Sequence, residues 1–203
     1  MKKRLPPIRE EEIVEEEIQV KSAQTLMQKL GVPSSKWHML AVTDGSGCKI
    51  ERPIGYASVI FQRQPSQIKY LMGSASFGGV NEAETRAVLD VVSYAMRTRP
   101  PHFEHGFYVH IVTDSEYVRK CLAEMDPIKV YERRSHPHLW QGIAQARRRG
   151  IMIVPHYIPR NTYVPMVTAD TLSKLARKSI EGAYDLVAVN VAMRNVDENF
   201  PIK

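Results

Sequence analysis

Asp44, Glu84, Asp114 and Asp170 stand in the short phrases Thr43-Asp44-Gly45-Ser46, Asn81-Glu82-Ala83-Glu84, Thr113-Asp114-Ser115 and Thr168-Ala169-Asp170. Each phrase puts a carboxylate at the start or end of a predicted core element. Carboxylates this far apart in the chain act together only if the fold gathers them, and gathered carboxylates repel unless cations sit between them. The chemistry this predicts is a hard divalent-metal site. Such a site suits phosphodiester hydrolysis, where two metal ions activate a water and stabilise the leaving oxygen. Taken singly, Asp-Gly-Ser and Asp-Ser are ordinary turn and capping phrases, and an acid in a first helical turn matches the helix dipole. The conjunction of four raises the metal reading above these.

The elements that must position these acids follow from the apolar pattern. Met39–Thr43 reads as a strand running into Asp44 and a loop with backbone freedom. Tyr56–Arg63 and Ile68–Ser76 read as two more strands about the turn Gln64-Pro65-Ser66, completing a three-stranded meander. The period then changes: Ala83, Ala87, Val88, Val91, Val92 and Ala95 form a helical stripe over Glu82–Arg97, closed by Pro100-Pro101. Phe107–Val112 is a strand, and Ser115 is placed to cap a helix reaching Glu124. His138–Arg149 reads as a basic helix stopped by Gly150, Ile151–Ile158 as a strand and Ala169–Glu181 as a closing helix. Glu84 and Asp170 are thus expected in first turns, and Asp44 and Asp114 at the ends of neighbouring parallel strands. This order predicts an α/β fold with a mixed five-stranded sheet, an antiparallel meander plus two parallel strands, flanked by helices.

Outside that body, Glu10–Leu30 has the spacing of an amphipathic helix ended by Gly31 and Pro33, and the tail from Asp185 is apolar at Val187, Val189 and Val191 with either helix or strand open. The expected division is an acidic helical extension over 1–36, a catalytic domain over 37–182 and a C-terminal extension over 183–203. The leader carries four basic and six acidic side chains in residues 1–20, leaving 24 basic against 16 acidic in the rest. A basic body suits a polyanionic partner. Two cysteines exclude a disulfide framework or a zinc cluster and suit a reducing, cytoplasmic setting. No apolar run has the length of a membrane span, so no membrane partner is expected.

The ordered phrases resemble the type 1 ribonuclease H family over roughly residues 39–180. The resemblance rests on Asp44-Gly45-Ser46 after the first strand, Gly55-Tyr56-Ala57 opening the second, and Asn81 with Ala83-Glu84 at the first long helix. Thr113-Asp114-Ser115 after the fourth strand, Leu139-Trp140, and Ala169-Asp170 with Leu172, Leu175 and Ala176 complete it. It implies a metal-dependent endonuclease that cuts the RNA strand of RNA–DNA hybrids, leaving 5′-phosphate ends, with two Mg²⁺ per site and Mn²⁺ as a substitute. Asp44 would bridge the ions, with Glu84 and Asp114 on one and Asp170 on the other. Glu82 and Asp90 compete with Glu84; Glu82 lies about 200° round the helix from it, so the two cannot both face the site. Ser46, Asn81, Ser115, Arg148, Arg160 and Asn161 are the candidate nucleic-acid contacts, and recognition would rest on A-like minor-groove shape and 2′-hydroxyls.

The chain departs from the family in the loop before Asp170. No histidine stands between Arg160 and Val167; His156 falls inside a predicted strand, and Arg160 or Asn161 is the expected phosphate contact instead. A shortened basic segment leaves Lys129, Arg133, Arg134 and Arg147–Arg149 as a candidate phosphate-tracking patch, or simply as a solvated helix end. Trp140 is expected to be a core anchor. Two rival readings stay open: a module of the same fold that binds nucleic acid or assembles without cutting, and a nuclease for DNA. The leader helix is open to self-association or a protein partner.

Overall fold

The computed structural model describes residues 23–32, 37–47, 52–65, 67–103, 106–124, 135–160, 162–180 and 186–199. Most of the expected leader helix, together with Lys129, Arg133, Arg134 and Asn161, lies outside the described residues.

A short helix α1 (Ala23–Leu30) precedes β1 (Met39–Ser46), β2 (Arg52–Gln62) and β3 (Gln67–Gly78). Then come α2 (Val80–Thr98), a 3-10 turn (Pro101–Phe103), β4 (Phe107–Thr113), α3 (Glu116–Ala123), α4 (Pro137–Arg148), β5 (Ile151–Tyr157), α5 (Val164–Ile180) and α6 (Leu186–Asn199). The five strands form one mixed sheet in the order β3-β2-β1-β4-β5. β1, β2 and β3 are an antiparallel meander, whereas β4 runs parallel to both β1 and β5, as the apolar pattern predicted.

The pleat sorts β1 onto two layers. Met39 and Ala41 point to one face with Val88, Val91 and Val92 of α2 and with Trp140 and Ile143 of α4. Leu40 and Val42 point to the other with Met166 and Ala169 of α5. Alternation at period two makes this possible, and burying each large aliphatic side chain stabilises the sandwich by about 1.5–3 kcal/mol. Trp140 is fully buried, as expected of a core anchor, and its indole Nε1 donates to Tyr117 Oη at 3.3 Å. The described part of the leader packs on the α5 face, where Leu26 is fully buried beside Leu40, Val42 and Val196. The tail is a helix. Val189, Ala192 and Val196 fall at helical spacing and are buried against α5 and its neighbours, whereas Val191 is exposed, so packing selects period 3.6 over the strand-like alternation.

Two helix starts differ from expectation, and the difference matters for the site. α2 begins at Val80 and α5 at Val164, so Glu84 and Asp170 each lie in the second turn, and the first-turn acid of α2 is Glu82. Gly79 offers no side-chain cap to announce the first start. In α5, Pro165 sits inside the first turn, where its missing N–H costs nothing, so it opens the helix instead of ending a loop. Matching a helix dipole therefore does not explain Glu84 or Asp170. β1 also runs two residues past Asp44, which is a ladder residue opposite Ala57 and not a loop residue.

Candidate active site

The parallel pairing of β1 and β4 ends with Val42 opposite Val112, so Asp44 and Asp114 lie two residues beyond that pair, side by side at one edge of the sheet. Glu84 arrives from α2 on one face. A Cβ on Gly45 would stand 2.4 Å from the Glu84 backbone nitrogen, so only glycine lets the helix start lie directly on β1. That contact also lets the Gly45 N–H donate to the Glu84 carboxylate. The result is a trio, Asp44, Glu84 and Asp114, whose ligand atoms lie within 4.8 Å of one another.

Asp170 arrives from α5 on the opposite face and stands outside the trio. Its Oδ2 is held at 2.5 Å by Lys174 Nζ one turn along the same helix. Asp170 nevertheless adds to the field that keeps the Asp44 proton on.

Electrostatically the trio crowds three acids into a largely buried place. Burial, opposed by a hydrogen bond from Ser173 and reinforced by Asp114 and Asp170, pushes the Asp44 carboxyl up to about 6. Burial first, and then Asp44 and Asp114, push Glu84 well above the ordinary carboxylate range. Glu84 Oε2 is buried with no hydrogen-bond partner among the described residues. A buried carboxylate oxygen left bare costs several kcal/mol unless a cation or proton meets it. Among the described residues, the cation that meets this trio is Arg160, in the turn after β5. Its Nε donates to Asp114 Oδ2 at 2.7 Å, and a second nitrogen lies 3.7 Å from Asp44 Oδ1. Its guanidinium is half exposed, so it covers the mouth of the trio and leaves Glu84 Oε2 unmet.

These are hard oxygen donors of the kind that hold Mg²⁺ or Mn²⁺, and a trio that includes a carboxylate with one bare, buried oxygen fits such an ion.

The remaining sequence candidates separate. Glu82 lies outside the trio, bonded to Arg86 at 2.7 Å and facing His136 Nδ1 at 3.4 Å. Asp90, two turns further along α2, has Arg86 and Arg97 as its cationic neighbours. Ser115 caps α3 by accepting from the Val118 N–H. Ser46 is buried at the end of β1, and Asn81 is exposed in the first turn of α2. Arg148 lies at the C-terminal end of α4, where the chain turns into the start of β5, so it sits at the opposite end of the sheet from the carboxylates. That end is about 20 Å away at the rise of a seven-residue strand. Arg147 is spent on the Leu122 carbonyl at 2.7 Å. His156 faces His110 across β4 and β5, ring nitrogens 2.8 Å apart, and burial followed by His110 holds it down to about 4, as suits a strand-packed imidazole. Ser173, fully buried and donating to Asp44 Oδ2 at 2.6 Å, was not among the candidates. Its position three residues after Asp170, on the same helical face, was the available signal.

No protein family and no curated protein matches this chain by sequence. Solved structures match it by shape. One is LC11-RNase H1, solved in complex with an RNA/DNA hybrid, at 18% identity and a TM-score of 0.56 over 70% of this chain and 99% of that one. Another is LC9-RNase H1, a type 1 RNase H with the type 2 active-site motif, at 16% identity and a TM-score of 0.58 over 76% and 83%. The N-terminal RNase H domain of a Mycobacterium tuberculosis protein matches at 18% and 0.54 over 71% and 96%. With its sheet order and the helices on both faces, this chain has the fold of the type 1 ribonucleases H.

Proposed function

We propose that this protein is a divalent-metal-dependent endonuclease that hydrolyses the RNA strand of RNA–DNA hybrids. The observation that carries the proposal is the trio of Asp44, Glu84 and Asp114, with ligand atoms within 4.8 Å and one buried oxygen without a partner. The fold shared with a structure solved on an RNA/DNA hybrid supports that substrate. Asp44, Glu84 and Asp114 would hold Mg²⁺, with Asp170 at the flank, and bound metal there supplies an activated water and charge stabilisation at the leaving oxygen.

The chain's own residues do the rest. Strand ends and helix backbones fix the carboxylates on rigid elements, so little reorganisation remains at the moment of reaction. Arg160, half exposed beside Asp114, would offer its remaining N–H donors to a phosphodiester oxygen. It keeps its proton throughout and so cannot act as a base. Asn81, exposed beside Glu84 at the head of α2, and Asn161, the neighbour of Arg160, are the polar side chains assigned to the nucleic-acid backbone. Arg148 belongs to the reading only if the duplex reaches the far end of the sheet, which makes it the weakest member of the set.

The test is cleavage of labelled hybrid, double-stranded RNA and DNA with Mg²⁺, Mn²⁺ or chelator. The proposal expects hybrid-specific cutting of the RNA strand that needs metal and is lost in Asp114→Asn, with binding retained. Chelator-resistant cleavage, or turnover in that variant equal to wild type, overturns it.

A further inference from the structure

The two oxygens of Asp44 have different surroundings. Oδ1 faces Arg160 at 3.7 Å on the open side, whereas Oδ2 accepts a 2.6 Å hydrogen bond from Ser173 Oγ on the closed side. Ser173 is fully buried in α5, and its hydroxyl also lies 2.9 Å from the Asp170 carbonyl of its own helix. A helical serine ordinarily gives its one proton to such a carbonyl three or four residues back. Here the shorter contact goes to a carboxylate on another element.

The contact depends on how closely α5 lies on the sheet. Gly55 of β2 pairs with Ser46, next to the Asp44 register, and a Cβ there would stand 2.1 Å from the Ser173 carbonyl and 2.4 Å from the Arg177 nitrogen. Backbone meets backbone at that point, which delivers the serine hydroxyl to Asp44. The same helix carries Asp170, so one residue couples the trio to the flanking acid.

We infer that Ser173 is a positioning residue: by anchoring Oδ2 of Asp44 it turns Oδ1 toward Glu84 and Asp114, where a divalent cation would be held. Ser173 touches neither cation nor substrate. The inference rests on the reading of the trio as a metal site and names a residue through which that site is aligned. Outer partners of ligating carboxylates commonly account for 10–100-fold in metal affinity.

The experiment is a calorimetric titration of the whole protein, without nucleic acid, with Mn²⁺. Wild type, Ser173→Ala, Ser173→Thr and Thr168→Val are compared, and melting temperature is recorded for each. Thr168 supplies the control because it is another buried hydroxyl of α5, bonded at 3.2 Å to the Ala192 carbonyl and to no carboxylate among the described residues. The expected result is about 10-fold or greater weakening of Mn²⁺ binding in Ser173→Ala. Binding is retained in Ser173→Thr, and in Thr168→Val the melting temperature falls while Mn²⁺ affinity does not. Wild-type affinity in Ser173→Ala, or equal weakening in Thr168→Val or Ser173→Thr, overturns the positioning role alone. A wild-type protein that binds no Mn²⁺ overturns the metal site itself and the inference with it.

Discussion

α2 and α5 pack on opposite faces of the same sheet, and each brings one carboxylate to its edge from a second turn, yet the two acids are treated differently. Glu84 is driven into the trio with a backbone N–H as its donor and one oxygen bare. Asp170 stays outside and carries its own cation, Lys174, one turn away. The sheet edge is therefore asymmetric: a concentrated, under-neutralised side built by α2 and a balanced side built by α5. Three clustered carboxylates are relieved by taking up a proton or a cation, whereas an acid already paired with lysine needs neither. α5 compensates by sending Ser173 into the trio in place of a fourth free carboxylate.

The hardest break of this asymmetry is at the trio. Glu84→Gln and Asp114→Asn are each expected to lower Mg²⁺-dependent hybrid cleavage by more than about 100-fold, while Asp170→Asn costs only about 10-fold. Rates under single-turnover conditions check the ranking, and equal losses at all three positions would erase the distinction between the two sides.

Next in size are the close approaches that seat each helix. Gly45→Ala would push the start of α2 off β1, and Gly55→Ala would lift α5 off β2. Each is expected to cost about 1–3 kcal/mol of stability in denaturant unfolding. Gly45→Ala should disturb Glu84, whereas Gly55→Ala should disturb the Ser173 contact to Asp44.

A subtler probe uses pH. The Asp44 carboxyl is raised from 3.8 to about 6 in the folded chain, so the folded state holds that proton more tightly than the unfolded state does. Its contribution to stability is fully present below about pH 3.8 and is lost as pH rises through about 6. Without metal, melting temperature should decline across that window, and Asp44→Asn should flatten the decline. Saturating Mg²⁺ should oppose it, because metal and protons compete for the same oxygens.

The smallest effect sharpens the balanced side. Lys174→Ala removes a half-exposed partner of Asp170, so stability is expected to change by less than about 1 kcal/mol. Cleavage should become more sensitive to metal concentration as Asp170 is left with its charge uncompensated.

Much of this was legible from residue patterns. Runs such as Met39–Thr43 and Phe107–Val112 read as strands because their length and flanking turns leave little alternative, and their order required a mixed sheet with parallel crossovers. The helix starts were misplaced by two and five residues because Gly79 carries no capping side chain and Pro165 reads as a breaker until it is found in a first turn. The tail stayed undecided because Val187, Val189 and Val191 alternate like a strand, and burial of Val189 and Ala192 on α5 settled it.

By itself the sequence determined which acids could meet, since an acid at the end of each of two strands and near the start of each of two helices can converge on one sheet edge. It also determined that no histidine lies in the loop from Arg160 to Val167. The tertiary structure decided how those acids differ. Distances between elements far apart in the chain made a trio of Asp44, Glu84 and Asp114 and left Asp170 beside Lys174. They also brought Arg160 and Ser173 to opposite oxygens of one aspartate. Electrostatic energy depends on separation and burial, and neither is fixed by residue order until the chain has packed.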